Sequence, residues 1–217
     1  MRALIAALLA AGLVTSTGHA QDKKYGPGVT DSEIKIGQSA PFSGPASAFG
    51  IYSRVEGAYF NALNERGGIN GRKIRYIVLD NGFSPPKALE ASRKLVEEDN
   101  VLAEVGTVGT PTNSATQRYL NSKKVPQLLI SAGGSKFNDP KQYPWTVPFY
   151  PSFETEAIGF ARYAMKTLPA PKIAVLYQSD IAAGNILARF GQHHFGTGEH
   201  GTEEGRSRVK RFQRVDA

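Results

Sequence analysis

The chain has 217 residues, a formal net charge of +7 and no cysteine, with 41% hydrophobic and 21% charged residues. Such a chain can bury a real core, which excludes intrinsic disorder, a collagen-like repeat and a disulfide-stapled mini-protein. The lack of cysteine also removes thiolate metal sites, a cysteine nucleophile and thiol redox switching.

The positive charge is spread along the chain. Residues 21–180 hold 19 Lys and Arg against 15 Asp and Glu, and basic groups often precede acidic ones, as in Arg93-Lys94 before Glu97-Glu98-Asp99. A nucleic-acid face would cluster basic side chains with interleaved aromatics, so nucleic acid is not an expected partner.

The first elements follow in chain order. Met1-Arg2, the apolar run Ala3 to Val14 and the close Gly18-His19-Ala20 read as a cleavable signal peptide over residues 1–20. The apolar run falls short of the roughly 20 residues a membrane-spanning helix needs. No cysteine follows it to carry a lipid anchor, so the mature chain is expected to be exported and soluble, in the periplasm. After an extension at 21–32, Glu33 to Ala40 alternates as a strand, and Ser39 to Gly50 is a loop rich in Gly, Pro and Ser. Ile51 to Glu65 places Val55, Ala58, Tyr59 and Ala62 at helical spacing, and Gly67-Gly68 stops that helix. Asn70-Gly71 predicts a tight turn into the strand Lys73 to Asp80.

Pro85-Pro86 opens a helix running to Asp99, with Ala88, Leu95 and Val96 inward. Then come a strand at Val101 to Gly106, a helix at Pro111 to Ser122 and a strand at Val125 to Ser131. A Pro-rich passage from Tyr143 to Pro151 leads to a helix at Ser152 to Leu168 and a strand at Lys172 to Gln178. Strands alternating with helices predict an α/β fold with a doubly wound, mostly parallel sheet. Ligands bind such sheets at the carboxyl ends of the strands, here Pro41–Gly50, Asn81–Ser84, Thr107–Asn113 and Ser131–Asn138.

Three of these loops are rich in Gly, Ser and Thr, and each leads toward a helix N-terminus. That composition suits a carboxylate or another small polar group, and equally suits ordinary tight turns between strand and helix. No phosphate-binding glycine motif follows a strand. Catalysis finds little support: no His lies between residues 20 and 192, and no nucleophile elbow or zinc-protease motif is present. Glu154 and Glu156 favour a helix dipole, and Trp145 reads as a packed or surface aromatic.

The run KIGQSAPFSGPASAFG, then NERGGINGRKIRYIVLDNGFSPPKALEASRKLVEEDNV, then LISAGGS resembles the periplasmic leucine/isoleucine/valine-binding proteins, type I solute-binding proteins of branched-chain amino acid ABC transporters. The likeness covers residues 33 to about 180. It implies a two-lobed clamshell that closes on a small ligand and delivers it to an ABC permease in the inner membrane, with no cofactor and no enzymatic activity. It also implies that the first lobe grips a carboxylate through Thr110 in the third loop and Ser131, Ala132 and Gly133 in the fourth, with Phe49 lining the side-chain pocket. The nearest hydroxyl after Gly133-Gly134 is Ser135, which leaves amino acids, amides and other carboxylates open as ligands. An exported sensor feeding a receptor, and less favourably an exported α/β enzyme, are the alternatives.

On this reading residues 33–150 form the first ligand-binding lobe and 151–180 cross over and begin the second. Beyond Asp180 the family pattern stops, and 181–217 show no convincing strand. The expectation is a disordered, frameshifted or truncated tail and impaired ligand binding. His193, His194 and His200 match no zinc spacing.

Overall fold

The computed structural model describes residues 25–168 and the backbone of two short strands at 173–175 and 209–211. Strand β1 (Glu33–Ala40) pairs in parallel with β2 (Lys73–Asp80) along its whole length, from Glu33 opposite Lys73 to Ala40 opposite Asp80. Helix α1 (Gly50–Glu65) connects them, ending where Gly67 and Gly68 take positive φ. A Cβ on Gly68 would lie 1.9 Å from the Arg72 carbonyl oxygen, so only glycine fits there. Asn70 and Gly71 then form a tight turn with φ of 51° and 78°, closed by two hydrogen bonds between Ile69 and Arg72 at 2.8 and 3.0 Å.

Helix α2 (Pro85–Glu97) begins with its two prolines and buries Ala88, Ala91, Ser92 and Leu95. Strand β3 (Ala103–Val105), helix α3 (Thr110–Lys123) and strand β4 (Gln127–Ile130) follow, with Lys124 ending α3 in the left-handed conformation. Strand β5 (Thr146–Pro148) and helix α4 (Phe153–Thr167) complete this part, and the Ser152 hydroxyl caps α4 by accepting from Thr155 N at 3.2 Å. Glu154 and Glu156 sit in its first turn, as the dipole argument expects.

The sheet runs β2-β1-β3-β4-β5, every neighbouring pair parallel. Its winding direction changes between β1 and β3, the switch point where a doubly wound sheet opens a crevice. Adjacent β1 residues show which helices cover each face. A Cβ on Gly37 would meet Leu95 of α2, whereas Gln38 bonds Glu56 of α1.

Three details differ from the sequence reading. The Pro-rich passage contains β5: a short edge strand tolerates Pro148 because its outer side has no ladder partner among the described residues. Helix α1 forms where expected, but Val55 and Tyr59, part of the apolar stripe that signals it, are 61% and 58% exposed. The helix meets the sheet through Ser53, Glu56, Gly57 and Phe60 instead, because Gln38 and Tyr76 on that face need polar partners. Within the tail, Val209–Arg211 forms a strand (β7) that pairs in parallel with Ile173–Val175 (β6), correcting the expectation of no strand there. The signal peptide, the tail histidines and the rest of the tail lie outside the described residues.

The core between α3 and the sheet is polar. Gln127 of β4 is fully buried, and its Nε2 donates to Asn113 Oδ1 and Thr116 Oγ1, each at 3.0 Å. Its Oε1 accepts from Thr146 Oγ1 at 3.1 Å, and Asn121 Nδ2 donates to that same hydroxyl at 2.8 Å. This chain of bonds fixes α3 against β4 and β5 by direction as well as by contact.

Candidate ligand-binding rim

The four loops expected at the carboxyl ends of the strands join into one rim. Loop one (41–49) and loop two (81–84) meet at the end of β2. There Asp80 Oδ1 accepts from Phe42 N at 2.9 Å, Ser43 N at 3.2 Å and Gly82 N at 3.0 Å, while Oδ2 accepts from Ser43 Oγ. The Ser43 hydroxyl, with these N–H groups, holds the Asp80 carboxyl below the usual carboxylate range, against a smaller opposing effect of burial. Asn81 continues the seam, its Nδ2 donating to Ser39 Oγ at 3.1 Å and its Oδ1 accepting from Phe83 N at 2.8 Å.

Loop two reaches loop three (106–109) through the Phe83 ring, which stands 2.4 Å from where a Gly109 Cβ would be. Loop three meets loop four (131–138) in a parallel bridge between Val108 and Ser131, with Ser131 N donating to Thr107 O at 2.9 Å and Gly109 N to Ser131 O at 3.1 Å. Asn113 braces loop three from within α3, its Nδ2 donating to the carbonyls of Thr107 and Gly109, both at 2.8 Å.

Thr110, Ser131, Ala132 and Gly133 therefore come together where loops three and four meet. The methyl group of Thr110 packs on Gly134, Ser131 is half-buried, and Ala132 and Gly133 are buried. Phe49 lies in loop one, 46% exposed, with its ring tilted on Tyr52 at 6.0 Å. No described contact joins Phe49 to the other four.

No side chain caps the start of α3 and no acidic residue lies in its first turn, so its leading N–H groups keep their capacity for a negatively charged partner. Pro111 removes one of those donors. Among the described residues the Thr110 and Ser131 hydroxyls have no hydrogen-bond partner, leaving two neutral donors beside the helix end.

Sequence reasoning missed three contributors to the rim. Phe153 covers Gly133, its ring 2.6 Å from a Cβ built there, and its N–H donates to Gly133 O at 2.7 Å. Phe83 seals loop three. Asp80 was visible only as part of a motif. A single aromatic or acid in a loop or at the end of an element carries no period, so only the tertiary contact shows what each one touches.

Residues 33–192 match the family model described as periplasmic binding protein, which is most of the chain. The chain belongs to the periplasmic binding protein family. The leucine-, isoleucine-, valine-, threonine- and alanine-binding protein of Pseudomonas aeruginosa is 33% identical over 89 residues, 40% of this chain and 23% of that protein. A fatty acid ABC transporter substrate-binding protein from Thermomonospora curvata superposes with a TM-score of 0.67 at 25% identity, over 82% of this chain and 44% of that one. The branched-chain amino acid transporter substrate-binding protein LivJ of Streptococcus pneumoniae, in complex with isoleucine, gives 0.65 at 25% identity, over 74% and 46%. This periplasmic binding protein thus spans less than half the length of either solved relative and about a quarter of the curated one. Its parallel sheet with flanking helices is the fold of the first part of type I members.

Proposed function

We propose that the chain is a substrate-binding component of an ABC transporter for branched-chain amino acids or related small carboxylates and amides. It acts after export to the periplasm and delivers its ligand to a permease in the inner membrane. The observation that carries this reading is the pairing of unpartnered Thr110 and Ser131 hydroxyls with the uncapped start of α3. Backbone N–H groups and neutral hydroxyls hold a carboxylate without a full counter-charge. Buried Ala132 and Gly133 contribute main chain to this wall, and Phe49 contributes an apolar surface from loop one. Relatives named for amino acids and for fatty acids share a carboxylate as ligand chemistry.

The test is a titration followed by amide NMR, with L-isoleucine, L-leucine, L-alanine and benzoate each raised to millimolar levels. Shift changes should concentrate at Thr110, Ser131, Ala132 and Gly133. Thr110→Val and Ser131→Ala should each weaken the response about tenfold, the worth of one hydrogen bond to a charged group. Shifts absent from the rim for the whole panel, or unchanged in both variants, would overturn the assignment.

A further inference from the structure

Loop one is the longest segment of the rim, and it sits between β1 and α1 with little core beneath it. Pro41 is buried, yet Ser43, Gly44 and Pro45 are exposed and so are Ser47, Ala48 and Phe49. What holds the start of this loop is a set of hydrogen bonds to one side chain on the neighbouring strand. Asp80 receives two backbone N–H groups and a hydroxyl from loop one and a further N–H from loop two. Register puts it there, because Asp80 is the last residue of β2 and lies opposite Ala40, the last of β1. The seam is close enough that a Cβ on Gly44, at φ +78°, would stand 2.7 Å from the Gly82 carbonyl oxygen.

We infer that Asp80 is the positioning residue of the ligand rim: its carboxylate clamps loop one onto loop two, and protonating it releases loop one. A neutral carboxylic acid turns one oxygen into a donor and weakens the other as an acceptor, so four donors lose a charged partner at once. This deepens the proposed function, since loop one carries Phe49, and Phe83 passes the position of loop two on to Gly109 and α3. The charged groups around Asp80 are few in kind. Helix α2 sends Lys87, Glu90, Arg93, Lys94, Glu97 and Glu98 to the same groove, and α1 sends Arg54, whose guanidinium lies 5.2 Å above the Phe42 ring. None of them accounts for the strengthened acidity of Asp80, which comes from the loop donors. A group with a lowered folded pKa stabilises above its unfolded pKa and loses that contribution as pH falls through the folded value. The clamp therefore holds at neutral pH and opens in acid, below the usual carboxylate range.

Hydrogen exchange by mass spectrometry on the 217-residue chain tests this, with rates corrected for the intrinsic pH dependence using an unfolded reference. In Asp80→Asn, the amides of Phe42, Ser43 and Gly82 should exchange about tenfold faster than in the wild type, while β4 and α3 stay protected. Ser43→Ala, which removes one donor and leaves the acid, should give a smaller rise in the same peptide. Asp80→Glu should restore part of the protection, and acidification should raise exchange of 41–45 in the wild type but not in Asp80→Asn. Unchanged exchange in Asp80→Asn and Ser43→Ala, or a rise spread evenly over the whole sheet, would overturn the inference. No ligand enters this measurement, so a silent ligand titration and an intact clamp remain separate results.

Discussion

Replacing Gln127 with leucine should destabilise the fold by about 4 kcal/mol, although leucine is apolar and the site is fully buried. Burying an apolar residue is normally favourable, and the opposite sign here follows from what Gln127 holds. Its amide is the donor for Asn113 Oδ1 and Thr116 Oγ1, and its carbonyl is the acceptor for the Thr146 hydroxyl. Leucine leaves these groups enclosed with fewer partners, at about 1–3 kcal/mol for each stranded group. Gln127→Glu should be at least as damaging, since a second carboxyl oxygen would face Asn113 Oδ1. Urea unfolding of both variants measures the effect, and a loss under about 1 kcal/mol for leucine would show that the network contributes little. Asn113 also braces the carbonyls of Thr107 and Gly109, so the same variant should loosen loop three.

Glu104→Gln should stabilise the protein at pH 8 and leave it nearly unchanged at pH 5. Glu104 points from the central strand β3 into the core, and neither of its oxygens has a hydrogen-bond partner among the described residues. Burial pushes its carboxyl up to about 7 from 4.5. The Ser92 hydroxyl acts weakly the other way but is itself unpartnered, so it makes no bond of ordinary geometry to the carboxyl. The folded state thus binds the proton more tightly than the unfolded state. Its contribution is fully present below pH 4.5 and is lost as pH rises through about 7, which makes the fold weaker in alkali. That shift corresponds to about 3 kcal/mol as an upper bound. Thermal unfolding at steps between pH 4 and 9 should show a falling melting temperature for the wild type and a flatter line for Glu104→Gln. Parallel lines would mean that Glu104 keeps the same protonation state in both folded and unfolded chains. This trend runs opposite to that of Asp80, whose clamp is lost in acid, so the two groups bound a pH window from either side.

The elements that sequence revealed best are those whose signals are local. Strands β1 and β2 have the boundaries that alternation gives them, and Asn70-Gly71 turns as its residue types demand. The parallel winding was legible because strand and helix patterns alternate. Strand β5 was hidden because three residues ending on a proline hold no period, and it exists only because β4 offers an edge. The inward face of α1 was unreadable for a different reason. Its apolar stripe is real, but Gln38 and Tyr76 on the sheet select the polar side of the helix. The buried positions of α3, including Thr112, Asn113, Thr116 and Gln117, look like a solvated face in sequence, since only β4 supplies their partners. At the rim, the loops rich in Gly, Ser and Thr do join, and Thr110 and Ser131, named through the family resemblance, lie where two of them meet. Phe83, Phe153 and the clamp at Asp80 required coordinates.

The sheet has a seam at its centre. Strand β3 pairs with β1 at Ile36–Ala103 and Gly37–Glu104, helped by Leu102 N donating to Lys35 O at 2.9 Å, and with β4 at Glu104–Gln127 and Val105–Leu128, helped by Gly106 N donating to Leu128 O at 2.9 Å, whereas β1 and β2 are laced from end to end. The same short strand carries the unpartnered acid. Mechanically this is a plate scored along its midline, with the score bridged above by the ties of Lys123 and Tyr119 on α3 to Glu97 on α2. The first two loops ride with β1 and β2 and the last two with β4 and β5, so the crevice lies over the shortest ladders of the described sheet.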